Sequence, residues 1–456
     1  MVRLFFLIYI LESETKNNRG PCPVKNQRKR IKEAQMNKRI LQFVGILLAV
    51  IFLNSCMFRK LKEDVKALES RVGIGGEITN QSPNKQPLTI LIYTEIEGKK
   101  NIRDFKIMDK DDEIYMFTVP KGLYYILAFE DANSNLVYDA GEYFGLVGKP
   151  DRISITSLNK PVANMNIKVA RTDGFPKGFP TDITNVKALI GVSNIATGTI
   201  TTLDNEIFSE ENAKMGFWQP LTSLYTNGAG VYFLEAYDPK KIPILFVHGA
   251  SGSPRNFQFI AENIDRSRFQ PWFYHYPSGF PLEKINRFLN YLITHLHDEY
   301  QFKKLYVTAH SMGGLVARGF ILKNVYDDGN DYIKLFVSIS SPFGGLKTAK
   351  KGVDSAPEAI PSWHDVVPGS PYIKKIFSKP LNGKIDYYLL FSHKGDCSFF
   401  MDNNDGAVTL RSQLDLRAQK DAISKWGFDE GHVTILSSQD VLGIYNDILE
   451  KTGSSK

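Results

Sequence analysis

LYVTAHSMGGLVARGFIL, residues 305–322, decides the fold of the C-terminal half of the chain. Its first five residues are apolar or β-branched, which predicts a buried strand, and from Met312 onwards the apolar residues recur at helical spacing. Ser311 lies on the turn between strand and helix. Ala309 and Gly313, two positions before it and two after it, leave room where strand and helix pass closest. The segment therefore predicts a serine on a sharp strand-to-helix turn.

This pattern resembles the G-x-S-x-G nucleophile elbow of the α/β-hydrolase superfamily, with Ala309 in place of the first glycine, as in many lipases. In that motif the turn is strained, the serine oxygen stands clear of the sheet, and a helix N-terminus lies beneath it. The resemblance implies an α/β-hydrolase fold, a mostly parallel sheet flanked by helices, with Ser311 as the nucleophile. The alternative is an ordinary strand-to-helix turn that contains Gly-Gly.

A serine hydroxyl is a weak nucleophile near neutral pH, so a base must take its proton and an acidic group must orient that base. In α/β-hydrolases both follow the serine, the acid before the histidine. Residues 386–393, DYYLLFSH, predict a late core strand. Beyond it, Asp405-Gly-Ala-Val resembles the D-G-x-V turn that often carries the acid in lipases. Asp396 and Asp402 are the competitors, but the glycine after Asp405 permits a tight turn, which favours Asp405.

The expected base is His432, which is preceded by a glycine and lies just before the last predicted helix; a surface histidine is the alternative. The oxyanion of the tetrahedral intermediate needs two backbone N–H donors. One is the N–H of Met312, immediately after the nucleophile. Residues 241–254, a strand and a Gly-rich loop, resemble the H-G-x-x-G oxyanion loop of lipases. That resemblance implies Ala250 as the second donor, with His248 as a structural hydrogen-bonding residue.

One loop carries oxygen ligands at the intervals of a calcium loop. Its polar side chains fall at positions 1, 3, 5, 9 and 12 of such a loop: Asp131, Asn133, Asn135, Asp139 and Glu142. Leu136 stands where glycine is expected and the flanks read as strands, so an ordinary Asx-rich hairpin is favoured, with calcium as the alternative. The remaining histidines are interpreted as packing or surface residues, which predicts no zinc site and no required cofactor: His275, His295, His297, His310, His364 and His393.

Residues 36–56 have the parts of an export signal: a basic start, the apolar run of residues 40–53 and a small residue before Cys56. They resemble a bacterial lipoprotein signal, which is cut before a cysteine that is then acylated. The resemblance implies a protein of the bacterial cell envelope, anchored to a membrane through acylated Cys56. The apolar run is shorter than the roughly 20 residues that span a bilayer, so a membrane helix is the weaker alternative. Residues 1–35 fit poorly before such a signal, and Met36 is hypothesised to be the true start.

The excess of positive charge lies in the first 55 residues. The whole chain has 56 basic and 49 acidic residues, and residues 1–55 hold 10 and 3 of them, which leaves 46 of each in the mature protein. A neutral protein gives no electrostatic reason to bind nucleic acid. Of the three cysteines, Cys22 and Cys56 precede the folded part, so Cys397 is predicted to form no disulfide within the mature monomer.

Changes in composition divide the remainder of the chain. Residues 56–72 predict a helical tether, and residues 73–171, short β-type runs separated by Gly, Asn and Asp, predict a small all-β sandwich. This module resembles transthyretin-like or carboxypeptidase-regulatory-like modules, and the sequence does not indicate its partner. Residues 172–229 are predicted as a linker and residues 230–456 as the hydrolase domain. Within that domain a long connection, about residues 341–385, is the predicted cap.

Two segments of the cap, residues 341–345 (SPFGG) and 367–372 (VPGSPY), resemble segments after the sixth strand in lipases and in PGAP1-like and acyltransferase relatives. Its apolar side chains either line an acyl pocket or form the core of the cap itself: Ile360, Trp363, Tyr372 and Phe377. These resemblances together imply a carboxylic-ester hydrolase of lipase or esterase type, acting on an ester or lipid through Ser311, His432 and Asp405. The alternatives are an acyltransferase or phospholipase with the same three residues, or a surface-binding lipoprotein whose hydrolase fold is vestigial.

Overall fold

The computed structural model of the chain describes residues 57–83, 85–108, 114–148, 152–158, 161–184, 186, 195–395 and 402–454. The predicted lipoprotein signal with Cys56, together with Asp396 and Cys397, lies outside these residues. The larger of two compact units begins at Lys60 and holds all the described residues except 57–59. Among the helices of the described ranges, none is both long enough and apolar enough to cross a membrane.

The N-terminal part of the larger unit is an all-β region of two sheets. One sheet has the order β4-β1-β8 and the other β3-β2-β5-β6, with β7 paired to β5. Side chains from both sheets share one core, among them Ile74, Ile90, Phe117 and Ile126, as expected for a sandwich. The strands are β1 (Val72–Asn80), β2 (Leu88–Ile96), β3 (Lys99–Met108), β4 (Ile114–Val119), β5 (Gly122–Glu130), β6 (Phe144–Leu146), β7 (Ile153–Ile155) and β8 (Ile167–Val169).

The C-terminal part is built on a single eight-stranded sheet of order β16-β15-β14-β13-β11-β12-β10-β9. All neighbours are parallel except β10 and β12. Parallel neighbours need long crossovers, and here helices supply most of them. The strands are β9 (Ile195–Ile200), β10 (Ala229–Phe233), β11 (Ile242–Val247), β12 (Phe269–His275), β13 (Leu305–His310), β14 (Ile333–Ile339), β15 (Asp386–Ser392) and β16 (Ser424–Phe428).

Helices cover both faces of this sheet, so its strands are apolar on both sides. Along β11, Leu245 and Val247 face the helices Leu282–Tyr300 and Met312–Leu322. Ile244 and Phe246 belong to the core on the opposite face. That second core includes side chains of the helices Gln258–Glu262 and Gln439–Ser454. The predicted α/β-hydrolase fold, preceded by an all-β region, is confirmed.

Shorter helices complete the layers. In the predicted cap they are Lys347–Ser355, Pro361–Val366 and Pro371–Ile376; elsewhere they are Glu210–Trp218, Pro220–Asn227, Leu410–Gln413 and Leu416–Asp421. Single turns of other helical types occur at Glu206–Phe208, Pro254–Phe257, Lys323–Asp327 and Thr434–Ser437. The elbow helix Met312–Leu322 begins and ends where the sequence predicts it.

Two segments contribute more to the fold than the sequence indicated. Strand β9 lies inside residues 172–229, the predicted linker, and pairs in parallel with β10 at the edge of the sheet. Its second half is exposed, which weakens the apolar signal of a strand. The predicted tether, residues 56–72, contains a helix over residues 57–69 whose Leu61, Val65 and Leu68 are buried. These stretches are therefore packed parts of the structure rather than spacers.

Candidate active site

Ser311 occupies the sharp turn between β13 and the helix Met312–Leu322. Its backbone has φ 55° and ψ −132°, a strained conformation for a residue with a side chain. Two hydrogen bonds hold the turn: the N–H of Ser311 donates to the carbonyl of Ile339 at 2.9 Å, and the N–H of Gly314 donates to the carbonyl of Ser311 at 3.0 Å. The elbow is thus fixed by the neighbouring strand β14 as well as by its own helix.

Glycines allow the strands to approach the elbow closely. A Cβ atom on Gly313 would lie 2.3 Å from the carbonyl oxygen of Val247 and 2.4 Å from that of His248. A Cβ atom on Gly249 would lie 2.7 Å from the Cβ of Ser311. The loop after β11 therefore lies directly against the serine, and no larger residue fits at these two positions without displacing backbone.

We expect Gly313→Ala to lower the free energy of unfolding by about 1–3 kcal/mol or more, because the new methyl group meets two backbone carbonyls that cannot rotate away. Urea unfolding measures the change. Gly443→Ala is the matched control: a Cβ there meets nothing within 4 Å, and replacing a glycine within a helix should stabilise by about 0.5–1 kcal/mol. Equal stability of the two variants would contradict the close approach at the elbow.

The structure brings Ser311, His432 and Asp405 together in a hydrogen-bonded chain. The Nε2 atom of His432 lies 2.8 Å from the Oγ of Ser311, and its Nδ1 atom lies 2.7 Å from the Oδ2 of Asp405. The three residues follow the C-terminal ends of β13, β15 and β16. Asp402, one of the competing acids, is 48% exposed and forms an ion pair with Lys347 at 3.2 Å. Of the two described candidates, Asp405 is therefore the one that contacts the histidine.

Asp405 is buried, and its carboxylate is fully hydrogen-bonded. Oδ1 accepts the N–H groups of Ala407 at 3.0 Å and Val408 at 2.7 Å. Oδ2 accepts the Ser392 hydroxyl at 2.8 Å and the Gln413 amide at 3.1 Å, in addition to the His432 imidazole. Burial raises the pKa of Asp405, but the hydrogen bonds and the charge of the imidazole outweigh it and hold the pKa below its ordinary value. The acid therefore stays ionised.

The backbone of His432 is fixed at both ends. Its N–H donates to the carbonyl of Asp405 at 2.8 Å, and its own carbonyl accepts a hydrogen bond from Nε2 of His310 at 2.7 Å. Burial, and then the neighbouring His432, lower the pKa of His310 to about 3, so its ring is neutral. The sequence predicted only a packing role for His310, because a partner that is a backbone carbonyl leaves no signal in the residue types.

Of the two expected oxyanion donors, Met312 directly follows the serine and Ala250 follows Gly249, which lies against the serine. Within the described part of the chain, the N–H groups of Ala250 and Met312 form no hydrogen bond to a backbone carbonyl. His248 supports their loop: its Nδ1–H donates to the carbonyl of Gly249 at 2.9 Å, and its ring stacks on Tyr276 at 4.2 Å. Burial lowers the pKa of His248 to about 4, so this ring is neutral and suits a structural role.

No group of three or more His, Cys, Asp or Glu side chains suited to a metal ion occurs among the residues that the structure describes. In the candidate calcium loop, Asp131 accepts the N–H groups of Asn135 and Leu136. Glu142 accepts two more backbone N–H groups, those of Ala132 and Asp139. Asn133 and Asn135 direct their amide N–H groups at Asp139. A cation would require both amides to turn so that their oxygens face inwards. The Asx-rich hairpin and the calcium alternative both stay predictions.

The cap side chains fall into two groups with different neighbours. Tyr372 is buried, and its hydroxyl donates to the carbonyl of Leu315 at 3.0 Å. The ring of Phe377 lies between the guanidinium groups of Arg318 and Arg417. These two residues and the fully buried Ile360 therefore form core. Trp363 is half-buried and has a different set of neighbours, the rings of Phe217 and Trp218.

This aromatic cluster, Phe217, Trp218 and Trp363, is connected to the oxyanion loop through two hydrogen bonds. The N–H of Ser251, next to Ala250, donates to the hydroxyl of Ser278 at 2.9 Å. The N–H of the following Gly279 donates to the carbonyl of Gly216 at 2.9 Å, immediately before Phe217. The sequence missed Phe217 and Trp218 because they fall in the predicted linker. Half-buried rings thus lie near the oxyanion loop.

A family model matches part of the chain, and solved structures of other proteins are similar to it. The model of a family described as an α/β hydrolase of unknown function, DUF915, matches residues 281–365, which include Ser311 but neither Asp405 nor His432. No curated protein is similar in sequence to the chain. In structure the chain is similar to the mature lipase BlEst2 of Bacillus licheniformis (17% identity, 47% of this chain and 94% of that chain, TM-score 0.38). It is also similar to lipase B of Aspergillus fumigatus (14% identity, 48% and 55%, TM-score 0.38). The family match and the strand order both indicate an α/β-hydrolase fold.

Proposed function

We propose that the chain is a serine hydrolase that cleaves carboxylic esters, of lipase or esterase type, through an acyl-enzyme. The observation that carries the proposal is the hydrogen-bonded chain from the Ser311 hydroxyl through the His432 imidazole to the buried Asp405 carboxylate. A base within hydrogen-bonding distance of a hydroxyl, and itself oriented by a carboxylate, is the arrangement that turns a serine into a nucleophile.

In the proposed reaction, His432 takes the proton of Ser311 as the serine oxygen attacks the ester carbonyl carbon. Asp405 keeps the Nδ1–H tautomer and stabilises the imidazolium, while the N–H groups of Ala250 and Met312 bind the oxyanion. The imidazolium then gives its proton to the departing alcohol. Water, deprotonated by the same imidazole, attacks the acyl-enzyme, and the proton returns to Ser311 as the acid leaves.

The aromatic residues near the oxyanion loop favour an ester with an apolar acyl or aryl group. The aromatic cluster Phe217, Trp218 and Trp363 supplies half-buried ring surface near the oxyanion loop. Burial of apolar substrate surface there contributes about 25 cal/mol per Å².

The experiment combines labelling with a substrate series. We expect a fluorophosphonate probe to label the wild-type protein and to leave Ser311→Ala unlabelled, because the probe reacts only with an activated hydroxyl. p-Nitrophenyl esters from acetyl to palmitoyl then define the acyl group, and adding a sterol or lipid alcohol tests for transfer. Release of free acid supports hydrolysis, whereas a new ester identifies an acyltransferase. Wild-type protein that neither labels nor hydrolyses would favour a vestigial fold.

A further inference from the structure

A second site lies between the all-β region and the hydrolase sheet. A cavity of about 400 Å³ is lined by β-region side chains such as Ile114, Met116 and Val162 and by Ile285 and Phe288 of the helix Leu282–Tyr300. Its volume is within the range of small-molecule sites, roughly 300–1,000 Å³. The proposed catalytic residues do not line it. The cavity therefore does not include the proposed nucleophile, base or acid, although Tyr276 in its wall also holds the carbonyl of His248.

The wall of this cavity offers little to a polar ligand. Four tyrosines line it, and three of their hydroxyls donate to backbone carbonyls: Tyr115 to Met165, Tyr274 to Ile285 at 3.0 Å, and Tyr276 to His248 at 2.5 Å. Apart from the hydroxyls of Tyr291 and Thr118 and the charged side chains, the remaining wall is aliphatic and aromatic surface. Such a wall suits a hydrocarbon chain, whose transfer from water is favourable by about 0.8 kcal/mol per CH₂.

The rim of the cavity is cationic. Arg71, Lys284 and Arg287 lie there with a single carboxylate, Glu283. Glu283 pairs with Arg287 at 2.7 Å. Lys284 is exposed on the first turn of its helix and forms no ion pair within the described residues, although the Glu69 carboxylate acts on it at longer range. An anionic group at the mouth would therefore find a net positive charge.

We propose that this cavity binds a fatty-acid anion, with the hydrocarbon chain between the β region and the helix Leu282–Tyr300 and the carboxylate at Lys284. The pairing of a mostly apolar wall with a basic rim carries the assignment. Binding there needs no turnover, so this site does not depend on the proposed ester hydrolysis.

Gly73 on β1 provides a way to fill the cavity. A Cβ atom there would lie 3.5 Å from the Sδ of Met116 and 3.8 Å from the Cβ of Pro161, both lining residues, at ordinary contact distances. Gly73→Leu therefore places a side chain among the lining residues without striking backbone. Gly443→Leu is the matched control, because a Cβ at Gly443 meets nothing within 4 Å.

Isothermal titration calorimetry with decanoate tests the proposal on the whole protein after treatment with the fluorophosphonate probe. We expect one saturable site in wild type and Gly443→Leu, and at least roughly tenfold weaker binding in Gly73→Leu. Lys284→Gln should bind decanoate roughly two- to fivefold more weakly and decanol unchanged, because only the acid carries a charge. Lys303→Gln, an exposed lysine that does not line the cavity, controls for charge in general.

Thermal unfolding identifies variants that fail to fold. Val162→Trp is a second variant that fills the cavity, and it is used if Gly73→Leu fails to fold. The proposal is overturned if wild type shows no saturable binding of decanoate, or if both filled variants bind as wild type does. If Lys284→Gln lost the same affinity for decanoate as for decanol, the ligand carboxylate would not bind at Lys284. The filled variants locate the site even if Ser311 proves unreactive, so failure of one proposal is distinguishable from failure of the other.

Discussion

His432→Asn is expected to lower kcat for a p-nitrophenyl ester by about 10⁶-fold. The imidazole Nε2 is the base positioned on the Ser311 hydroxyl, at 2.8 Å, and an asparagine amide cannot take up a proton near neutral pH. The backbone hydrogen bonds of residue 432, to Asp405 and from His310, do not involve the imidazole and remain in the variant. The loss should therefore be catalytic, with the melting temperature little changed.

His393→Asn is the matched control for this substitution. His393 follows β15, is 42% exposed and lies 3.9 Å from Asp429. It should keep wild-type kcat. Burst kinetics in the His432 variant should also disappear, because acylation of Ser311 itself needs the base. A loss of less than about tenfold in His432→Asn would show that another group deprotonates the serine.

How far the sequence predicts the site depends on whether its parts are local. The elbow is local: strand, turn and helix are consecutive, and small residues at two fixed offsets suffice to identify Ser311. His432 and Asp405 are remote from it, and only a resemblance in chain order and turn pattern indicated them. The sequence narrowed the acid to three aspartates, and the structure places the favoured one on the histidine at 2.7 Å.

The groups that position these residues were not predictable in the same way. Ser392 ends β15 and Gln413 lies on the short helix Leu410–Gln413, and both reach Asp405 only once the loop has folded back. His310 contacts a backbone carbonyl, which any residue type could provide. Strand β9 was missed because it is a half-exposed edge strand, where burial demands few apolar residues. Contacts between distant segments are decided by packing rather than by the local pattern.

Asp405→Asn is expected to lower kcat by about 10⁴-fold while retaining the fold. The two backbone N–H groups of Ala407 and Val408 would keep the amide oxygen at the position of Oδ1, so the new NH₂ would take the place of Oδ2. A donor facing Nδ1 of His432 forces the imidazole into the other tautomer, with its proton on Nε2. That nitrogen can then no longer accept the proton of Ser311. The same NH₂ would face the amide donor of Gln413, which adds a cost in stability of about 1–3 kcal/mol.

Asp402→Asn is the matched control, because it makes the same chemical change three residues earlier in the chain. Its carboxylate is half-exposed and pairs with Lys347, so we expect kcat within about twofold of wild type and a stability change of under about 1 kcal/mol. The pair of variants, compared by kcat and by urea unfolding, separates a defect in the tautomer from a general loss of negative charge near the site. If Asp402→Asn rather than Asp405→Asn lost activity, the acid would have been assigned to the wrong residue. Equal and full activity in both variants would mean that His432 needs no carboxylate to hold its tautomer.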